Sequence, residues 1–418
     1  MKDLGKYIVL LFLLLQCFTR VKGQENLEKY PFLSPDSSRI INAAALEGFF
    51  GRCYQLKTTG QGRANVLHIG DSHVQADFFS GMIRMGLQKK FGNAGRGLIF
   101  PYRLARSNEP SDYRSSSTVA WEYKRNVFPE LSLPIGIGGY TIQSTDSNAD
   151  ITVSLKINDT LDYRVTRLTL FHDRADDQFD FAVYDSSMNE IGYIMTHNFS
   201  ENNFTSTFRF PMPVSKFIIK PCPRTSSQVC ARVFGLLLEN DRHGLLYNMI
   251  GVNGAEFRHY NASRYFFDQM RFLRPNLVVV SLGTNEAFNW KGFSADNFYK
   301  SIDTMITRII RENPGVEILL TTPGDSFKRG GKKGRVKNPT VVEVVNTIKK
   351  YAADKNLACF DWFAVSGGYG SMGKWYAAGM ADRARIHYTR KGYEIQGKLM
   401  LKALLMAYDE YELNRDKK

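Results

Sequence analysis

Residues 66–73 read Val66-Leu67-His68-Ile69-Gly70-Asp71-Ser72-His73. Apolar residues run straight into Gly-Asp-Ser and an amphipathic segment follows, which predicts a buried strand, a tight turn and then a helix. A serine in such a turn lies at the carboxyl edge of a sheet, where unpaired backbone N–H groups collect and reacting groups are often found. Gly, Asp and Ser are also common turn residues, so this stretch alone fits a structural turn equally well.

Helical patterns flank this stretch on both sides. Upstream, Asp-Ser-Ser at residues 36–38 is a cap signal for a helix that we expect to carry the apolar residues from Ile40 to Cys53. Downstream, apolar side chains recur at helical spacing over residues 78–91, and Gly92 marks the end of that helix.

Strands and helices alternate again after about residue 261. The predicted strands cover residues 276–282, 316–322 and 357–360, and the predicted helices cover residues 266–273, 302–310, 339–353 and 392–411. The near-continuous apolar run of the first strand is typical of a strand buried in a parallel sheet. The alternation predicts a parallel sheet with helices on both faces.

The middle of the chain has a different pattern. Short runs of alternating polarity occur at residues 151–157, 165–171, 179–183, 217–219 and 233–238, separated by clusters of Asn, Asp, Ser and Gly. Such spacing is typical of an antiparallel β-sandwich. We therefore predict an α/β domain made of residues 24–102 and 244–418, into which a β-sandwich is inserted at residues 103–243.

The first 23 residues have the pattern of an export signal. Lys2 and Lys6 precede an apolar run at residues 7–15, and permissive residues precede Gln24. A lipoprotein site at Cys17 is the less favoured alternative. No later stretch is long and apolar enough to span a membrane. The sequence therefore predicts a signal peptide at residues 1–23, a periplasmic or extracellular location and no integral membrane segment after cleavage.

The formal net charge of +14 and the pI near 9.4 favour an anionic partner such as a polyanionic glycan. No nucleic-acid-binding motif is present, so we expect no nucleic-acid partner. A disulfide between Cys222 and Cys230 is plausible in an oxidising compartment, because the two flank a turn-like segment. No spacing of Cys and His predicts a metal site, and no pattern calls for a cofactor.

Four short blocks lie at predicted strand ends of the α/β part. They contain Ser72 (Gly-Asp-Ser-His), Gly254 (Gly-Val-Asn-Gly-Ala), Asn285 (Gly-Thr-Asn-Glu) and His387 (Ile-His-Tyr-Thr). A serine hydroxyl needs an adjacent base, and His387 fits that role. Acyl transfer also needs donors for a developing oxyanion, which the N–H groups of Ser72 and Gly254 and the amide of Asn285 would supply.

These four blocks, in this order, resemble the SGNH (GDSL-like) hydrolases over residues 60–100 and 245–410. The resemblance implies a flavodoxin-like three-layer α/β/α fold and esterase chemistry. Within the family, a β-sandwich inserted after the serine block is similar to the exported bacterial peptidoglycan O-acetylesterases, whose insert resembles a carbohydrate-binding module. Trp121, Tyr123, Tyr140 and Tyr163 of the insert could stack on sugars, although aromatic residues of a β-sandwich more often belong to its core.

One departure from the family pattern concerns the third member of the triad. The family usually places an aspartate three residues before the histidine, but residue 384 is Ala. Asp382 is the nearest upstream carboxylate and Asp361 is a second candidate. A Ser-His dyad without a carboxylate is the remaining alternative.

Four more residues are candidates for substrate binding. His73 either orients the serine loop or makes a turn-stabilising hydrogen bond. Glu286 either lines the pocket or caps a helix. Lys332 and Lys333 belong to a basic run at residues 328–335 that either grips an anionic glycan or is a solvated loop.

The sequence thus predicts an exported, metal-independent serine esterase that removes O-acetyl groups from a glycan, with peptidoglycan favoured. The alternatives are an acetylesterase acting on another polysaccharide (an acetylated plant or capsular glycan), a glycan O-acyltransferase and a non-catalytic glycan-binding protein.

Overall fold

The computed structural model describes residues 27–128, 130, 132–157, 160–196, 204–288, 291–415 and 417. Its strands are β1 Ile40–Ile41, β2 Arg63–Gly70, β3 Gly97–Ile99, β4 Tyr113–Ser116, β5 Glu122–Arg125, β6 Tyr140–Ser144, β7 Ile151–Leu155, β8 Val165–His172, β9 Asp180–Tyr184, β10 Glu190–Ile194, β11 Thr205–Val214, β12 Lys216–Cys222, β13 Ala231–Glu239, β14 Gly244–Gly251, β15 Leu277–Ser281, β16 Glu317–Thr321, β17 Phe327–Arg329, β18 Arg335–Lys337 and β19 Ala358–Phe360. Its α-helices are α1 Glu47–Thr59, α2 Ser72–Gln75, α3 Phe78–Phe91, α4 Phe257–Asn261, α5 Phe266–Met270, α6 Thr284–Phe288, α7 Ala295–Glu312, α8 Thr340–Asp354, α9 Trp362–Val365, α10 Ser371–Ala377 and α11 Arg390–Arg415. Short 3₁₀ helices cover Leu27–Lys29, Pro35–Ser37, Ala43–Leu46, Arg271–Leu273 and Gly331–Lys333. The predicted signal peptide and Cys17 lie outside the described residues.

The central sheet has the strand order β1-β19-β16-β15-β2-β14. The last five strands of that order run parallel to one another, and β1 is an antiparallel edge strand. Counted along the chain, the parallel strands are arranged 2-1-3-4-5, which is the flavodoxin-like order. The predicted parallel sheet is therefore present.

Alternate side chains of each strand bury against different helical layers. Val66 of β2 belongs to an apolar core with α1, α3 and α11. Its neighbour Leu67 belongs to a second core with α4, α5, α7 and α8. Because both faces of the strand are buried, the sequence of β2 is apolar almost throughout, as in other parallel sheets. The result is the predicted three-layer α/β/α arrangement.

Strands β4–β13 form two further, antiparallel sheets. One has the order β10-β9-β12-β7-β4 and the other the order β11-β8-β13-β6-β5, to which β3 adds by pairing with β13. The predicted fold class, an α/β domain with an additional antiparallel β-sandwich, is confirmed. The exact boundaries at residues 103 and 243 stay a prediction. Trp121, Tyr140 and Tyr163 are buried in the core of the insert, and Tyr123 packs against it, so these rings do not form an open sugar-stacking surface.

The helix predicted to begin after the cap at residues 36–38 is wrong in its first part. Ile40 and Ile41 form the edge strand β1, which pairs with β19, and the helix begins only at Glu47. Two adjacent β-branched residues favour an extended backbone. Asn42 then adopts a left-handed conformation with φ of 55°, which interrupts any helix at this point.

Two further expectations can be compared with the structure. The basic run at residues 328–335 belongs to an antiparallel hairpin of β17 and β18, with Lys332 and Lys333 exposed in its turn. The disulfide considered between Cys222 and Cys230 is not formed, since both thiols are free. The Cys230 thiol instead contacts the carboxylate of Asp177, with a distance of 3.5 Å between Sγ and Oδ2.

A buried cluster of four charges joins the α/β domain to the insert. Asp77, at the start of α3, contacts Arg84 at 2.5 Å and Arg96 at 2.9 Å. Asp112, directly before β4, contacts Arg84 at 2.8 Å. Asp77 and both arginine side chains are at most 3 % exposed. Two cations and two carboxylates thus neutralise one another in a site that solvent barely reaches.

None of the helices in the described ranges combines the length and the hydrophobicity that a membrane-spanning segment requires.

Candidate active site

The four sequence blocks meet at the carboxyl edge of the central sheet. Ser72 follows β2, Gly254 follows β14 and Asn285 lies in α6, directly after β15. The chain order of the strands reverses beside β2, and in open α/β sheets ligands bind at the carboxyl edge next to such a reversal. His387 reaches the same edge from the loop that leads into α11.

The turn before Ser72 is shaped by close packing. A Cβ atom on Gly70 would lie 2.2 Å from Cγ2 of Val74, so only glycine fits at this position. Asp71 caps the short helix α2, since its carboxylate accepts a hydrogen bond from the backbone N–H of His73 at 2.9 Å. The serine is therefore presented by a rigid turn.

The hydroxyl of Ser72 and the imidazole of His387 are in direct contact. The distance between Ser72 Oγ and His387 Nε2 is 2.8 Å. The loop that carries the histidine is closed by a backbone hydrogen bond of 2.8 Å from the N–H of Asp382 to the carbonyl of His387. A serine hydroxyl that donates to an imidazole at this distance can lose its proton as it attacks an acyl carbon.

Asp382 is the carboxylate beside the histidine. Its Oδ2 lies 3.6 Å from His387 Nδ1, and the two side chains are 38 % and 40 % exposed. The other carboxylate oxygen accepts the backbone N–H of Ile386 at 3.1 Å. Asp361 is engaged elsewhere, with Lys349 at 2.5 Å and the hydroxyl of Thr322 at 3.0 Å. Of the two candidates, the structure brings Asp382 to the histidine.

We expect Asp382→Asn to lower kcat for ester hydrolysis by about 10- to 100-fold, far less than the roughly 10⁴-fold that follows loss of a buried triad aspartate. The reason is that the 3.6 Å contact is long and partly exposed to water, so the carboxylate stabilises the imidazolium only weakly. Steady-state kinetics with p-nitrophenyl acetate measure the effect. Asp361→Asn is the matched control and should leave kcat within about threefold. A larger loss in the control would assign the role to Asp361.

Three residues that line the cleft, Ser72, Gly254 and Asn285, carry the groups predicted to hold an oxyanion. The backbone N–H of Ser72 is the first of α2 and so has no acceptor within the helix. Gly254 has a φ of +86° with open space where a Cβ atom would stand. The amide Nδ2 of Asn285 lies 2.9 Å from the carbonyl oxygen of Ala255 and 3.3 Å from Asp71 Oδ2. The asparagine would therefore exchange its longer hydrogen bond for one to the oxyanion.

Two buried carboxyls accept backbone hydrogen bonds from segments next to the cleft. Asp71 also accepts a hydrogen bond from the hydroxyl of Thr284, and burial raises its pKa to about 7. Glu286 accepts the backbone N–H of Phe257 at 2.8 Å, and burial raises its pKa to about 8. Glu286 does not line the cleft beside the serine. Its contact with the first N–H of α4 is nearer to the other predicted role, the capping of a helix.

His73 lies behind the candidate base. Its ring centroid is 5.1 Å from that of His387 with an angle of 30° between the planes, and its Nδ1 is 3.0 Å from the hydroxyl of Tyr393. Burial lowers the pKa of His73 well below its usual range, so the ring is neutral. A neutral ring packed here fits the predicted role in orienting the serine loop, not direct contact with substrate.

An open cleft of about 590 Å³ surrounds Ser72. It is lined by Ser72, Ala76, Asn108, Asn253, Gly254, Thr284, Asn285, Phe288, Ile386, His387 and Tyr393. Lys332 and Lys333 are not among these residues. Across the described ranges, no group of three or more His, Cys, Asp or Glu side chains is placed to hold a metal ion.

Sequence reasoning missed a polar junction at one wall of the cleft. The buried Gln75, three residues after Ser72, donates to the Ser107 hydroxyl at 2.7 Å and to the Asn108 carbonyl at 2.9 Å. Its Oε1 accepts the backbone N–H of Asn253 at 2.8 Å. Gln75 could have been found from the sequence, because it lies three residues after Ser72 at the start of the predicted helix. Asn108 could not have been found in this way, because it lies in an irregular connection to the insert.

Comparison with known proteins agrees with this geometry. Residues 222–395, which include Gly254, Asn285 and His387, match the GDSL-like Lipase/Acylhydrolase family. A solved structure of a peptidoglycan O-acetylesterase is similar with a TM-score of 0.72 and 21 % identity, covering 89 % of this chain and 99 % of that chain. A search of curated proteins gives no match.

Two other solved structures are similar over a smaller part of the chain. A lipase/acylhydrolase from Enterococcus faecalis has 20 % identity and a TM-score of 0.29, and the match covers 38 % of this chain and 75 % of that chain. An acetyl xylan esterase has 18 % identity and a TM-score of 0.30, with 39 % and 82 % covered. The family match confirms the predicted resemblance to GDSL-like hydrolases and the predicted ester hydrolase class. The shared fold confirms the predicted resemblance to the structure of a peptidoglycan O-acetylesterase.

Proposed function

We propose that this chain is a GDSL-like ester hydrolase that removes O-acetyl groups from a glycan polymer, with peptidoglycan as the favoured substrate. The observation that carries the chemistry is the 2.8 Å contact between Ser72 Oγ and His387 Nε2 at the carboxyl edge of the sheet. The choice of polymer is supported by the similarity, over 89 % of this chain, to the structure of a peptidoglycan O-acetylesterase.

The proposed reaction begins when Ser72 Oγ attacks the carbonyl carbon of the acetyl ester. His387 Nε2 takes the serine proton, and the N–H groups of Ser72 and Gly254 with the amide of Asn285 hold the negative charge on the carbonyl oxygen. The ester C–O bond then breaks as the imidazolium returns the proton to the leaving sugar hydroxyl. Asp382 holds the imidazole in orientation.

Water completes the cycle. It attacks the acetyl-Ser72 carbonyl and gives its proton to His387, which passes it to the serine oxygen as acetate leaves. Acetate and a free sugar hydroxyl are the products. The open shape of the cleft gives a polymer-borne ester access to the serine, since no described segment closes over it.

Acetate release from polymers tests this proposal. The purified protein is incubated with O-acetylated peptidoglycan and, in parallel, with acetylated xylan. Release that is faster from peptidoglycan supports the proposed substrate. Release from xylan alone would replace it with a plant-type polysaccharide. No release from either polymer, by protein that still hydrolyses p-nitrophenyl acetate, would overturn the assignment to a glycan.

Export is part of the same proposal, because an enzyme acting on a cell-wall polymer must reach it outside the cytoplasm. The support is the charged and apolar pattern of residues 1–23. We expect the mature protein to begin at Gln24, which N-terminal sequencing of the protein recovered from its producing cells would check. A protein that keeps Met1 would contradict this part.

A further inference from the structure

A second cavity adjoins the catalytic cleft. It has a volume of about 480 Å³ and shares Asn108 with the cleft around Ser72. Three exposed cationic side chains line it, Arg103, Arg114 and Lys156. We call this cavity the basic groove.

The three cations of the basic groove are only partly neutralised by the protein, because the charge of the Glu109 carboxylate acts on Arg103. Across the described residues, none of them forms an ion pair with an Asp or Glu side chain. They come from three separate places in the sequence: the segment after β3, strand β4 and the residue after β7. Their meeting at one surface is therefore a product of the fold and not of a local basic run.

The nearby carboxylates, Glu109 and Asp112, offset only part of the positive charge of the basic groove. Glu109 lines the basic groove, but its carboxylate accepts hydrogen bonds from the backbone N–H of Ser115 at 2.9 Å and from the Ser115 hydroxyl. Burial also raises the pKa of Glu109 to about 7, which reduces its charge at neutral pH. Asp112 points inward to Arg84 at 2.8 Å. The basic groove thus keeps a net positive charge.

The basic groove is held at a fixed position relative to the catalytic serine. Ser107 and Asn108, which lie at its edge, are bound by Gln75 of the helix that begins with Ser72. Asn253, next to the oxyanion candidate glycine, donates from Nδ2 to Asn108 Oδ1 at 2.8 Å. A ligand that reaches from the cleft into the basic groove therefore crosses one continuous, hydrogen-bonded rim.

We propose that the basic groove binds carboxylates carried by the polymer whose acetyl ester lies at Ser72, namely the carboxylates of peptidoglycan stem peptides. This rests on the proposed function. Arginine side chains suit the role because the planar guanidinium binds a carboxylate through two parallel hydrogen bonds. The basic groove would thus select acetylated sugars that bear an acidic peptide over acetylated neutral polysaccharides, and its contribution would weaken at high salt.

The test removes all three charges in one variant, Arg103→Ala with Arg114→Ala and Lys156→Ala. Three substrates are compared: soluble O-acetylated peptidoglycan fragments with intact stem peptides, the same fragments after enzymatic removal of the peptides, and p-nitrophenyl acetate. We expect kcat/KM to fall about tenfold or more for the peptide-bearing fragments only. For the other two substrates we expect values within about twofold of the wild type.

A second triple variant controls for net charge. Arg39→Ala, Lys89→Ala and Lys402→Ala also remove three exposed cations, but away from the cleft. We expect it to behave as the wild type on all substrates. An equal loss in both variants, an equal loss on peptide-free fragments, or no loss would overturn the role of the basic groove. Failure of the wild type to release acetate from any fragment would instead overturn the proposed function itself.

Discussion

Ser72→Ala is expected to lower kcat for ester hydrolysis by about 10⁴- to 10⁶-fold while leaving the free energy of unfolding nearly unchanged. The alanine removes the only atom that we propose forms the covalent acetyl intermediate, Ser72 Oγ. Little packing is lost, because the serine stands in a turn that opens onto the cleft. Activity on p-nitrophenyl acetate and urea denaturation, measured on the same preparation, check both halves of the prediction.

His387→Ala should cost a similar factor, because the hydroxyl is a poor nucleophile without its base. The variant with both substitutions should lose little more than either single variant, since the two groups act as a unit through their 2.8 Å contact. Ser186→Ala, at an exposed serine in a hairpin turn, is the control and should keep full activity. Losses that multiply in the double variant would mean that the residues act independently.

Asp77→Asn is expected to lower the free energy of unfolding by about 3–5 kcal/mol. Its carboxylate lies 2.5 Å from Arg84 and 2.9 Å from Arg96, and all three side chains are at most 3 % exposed. The change leaves two buried guanidinium groups with Asp112 as their remaining counter-charge. Asparagine tolerates the left-handed backbone of residue 77, where φ is 58°, so the effect measures lost charge and not backbone strain.

Urea denaturation of the wild type and of Asp77→Asn measures this loss in the free energy of unfolding. The matched control is Asp409→Asn, which breaks an ion pair of similar length with Lys90 at 2.7 Å. The Asp409 side chain is 54 % exposed, so we expect a loss of at most about 1 kcal/mol. Equal losses in the two variants would show that burial does not set the strength of the Asp77 cluster.

The α/β framework could be predicted because its strands are buried on both faces. That burial leaves near-continuous apolar runs such as residues 277–281, and the intervening helices show the 3.6-residue period. The first helix could not be placed in the same way. Ile40 fits the apolar face of a helix as well as an edge strand, and only its pairing with Phe360, far away in the sequence, decides between them.

The candidate site was predictable where a residue type is tied to a strand end. Ser72, Gly254 and Asn285 each follow a parallel strand, so a sheet topology brings them to one edge. The link between Asp382 and His387 depends on the fold of a single loop, which no periodicity encodes. Asn108 comes from the irregular connection to the insert, so its place on the cleft wall follows only from the packing of the two units.

Labelling with a fluorophosphonate tests the central claim most directly. The oxygen of an activated serine attacks the phosphorus of this reagent and displaces fluoride, which leaves a stable phosphonyl-serine that peptide mass spectrometry locates. We predict one adduct per chain, on Ser72, with parallel loss of acetate release from O-acetylated peptidoglycan and no labelling of His387→Ala. An adduct on another residue, or full acetate release by protein completely labelled at Ser72, would contradict the account.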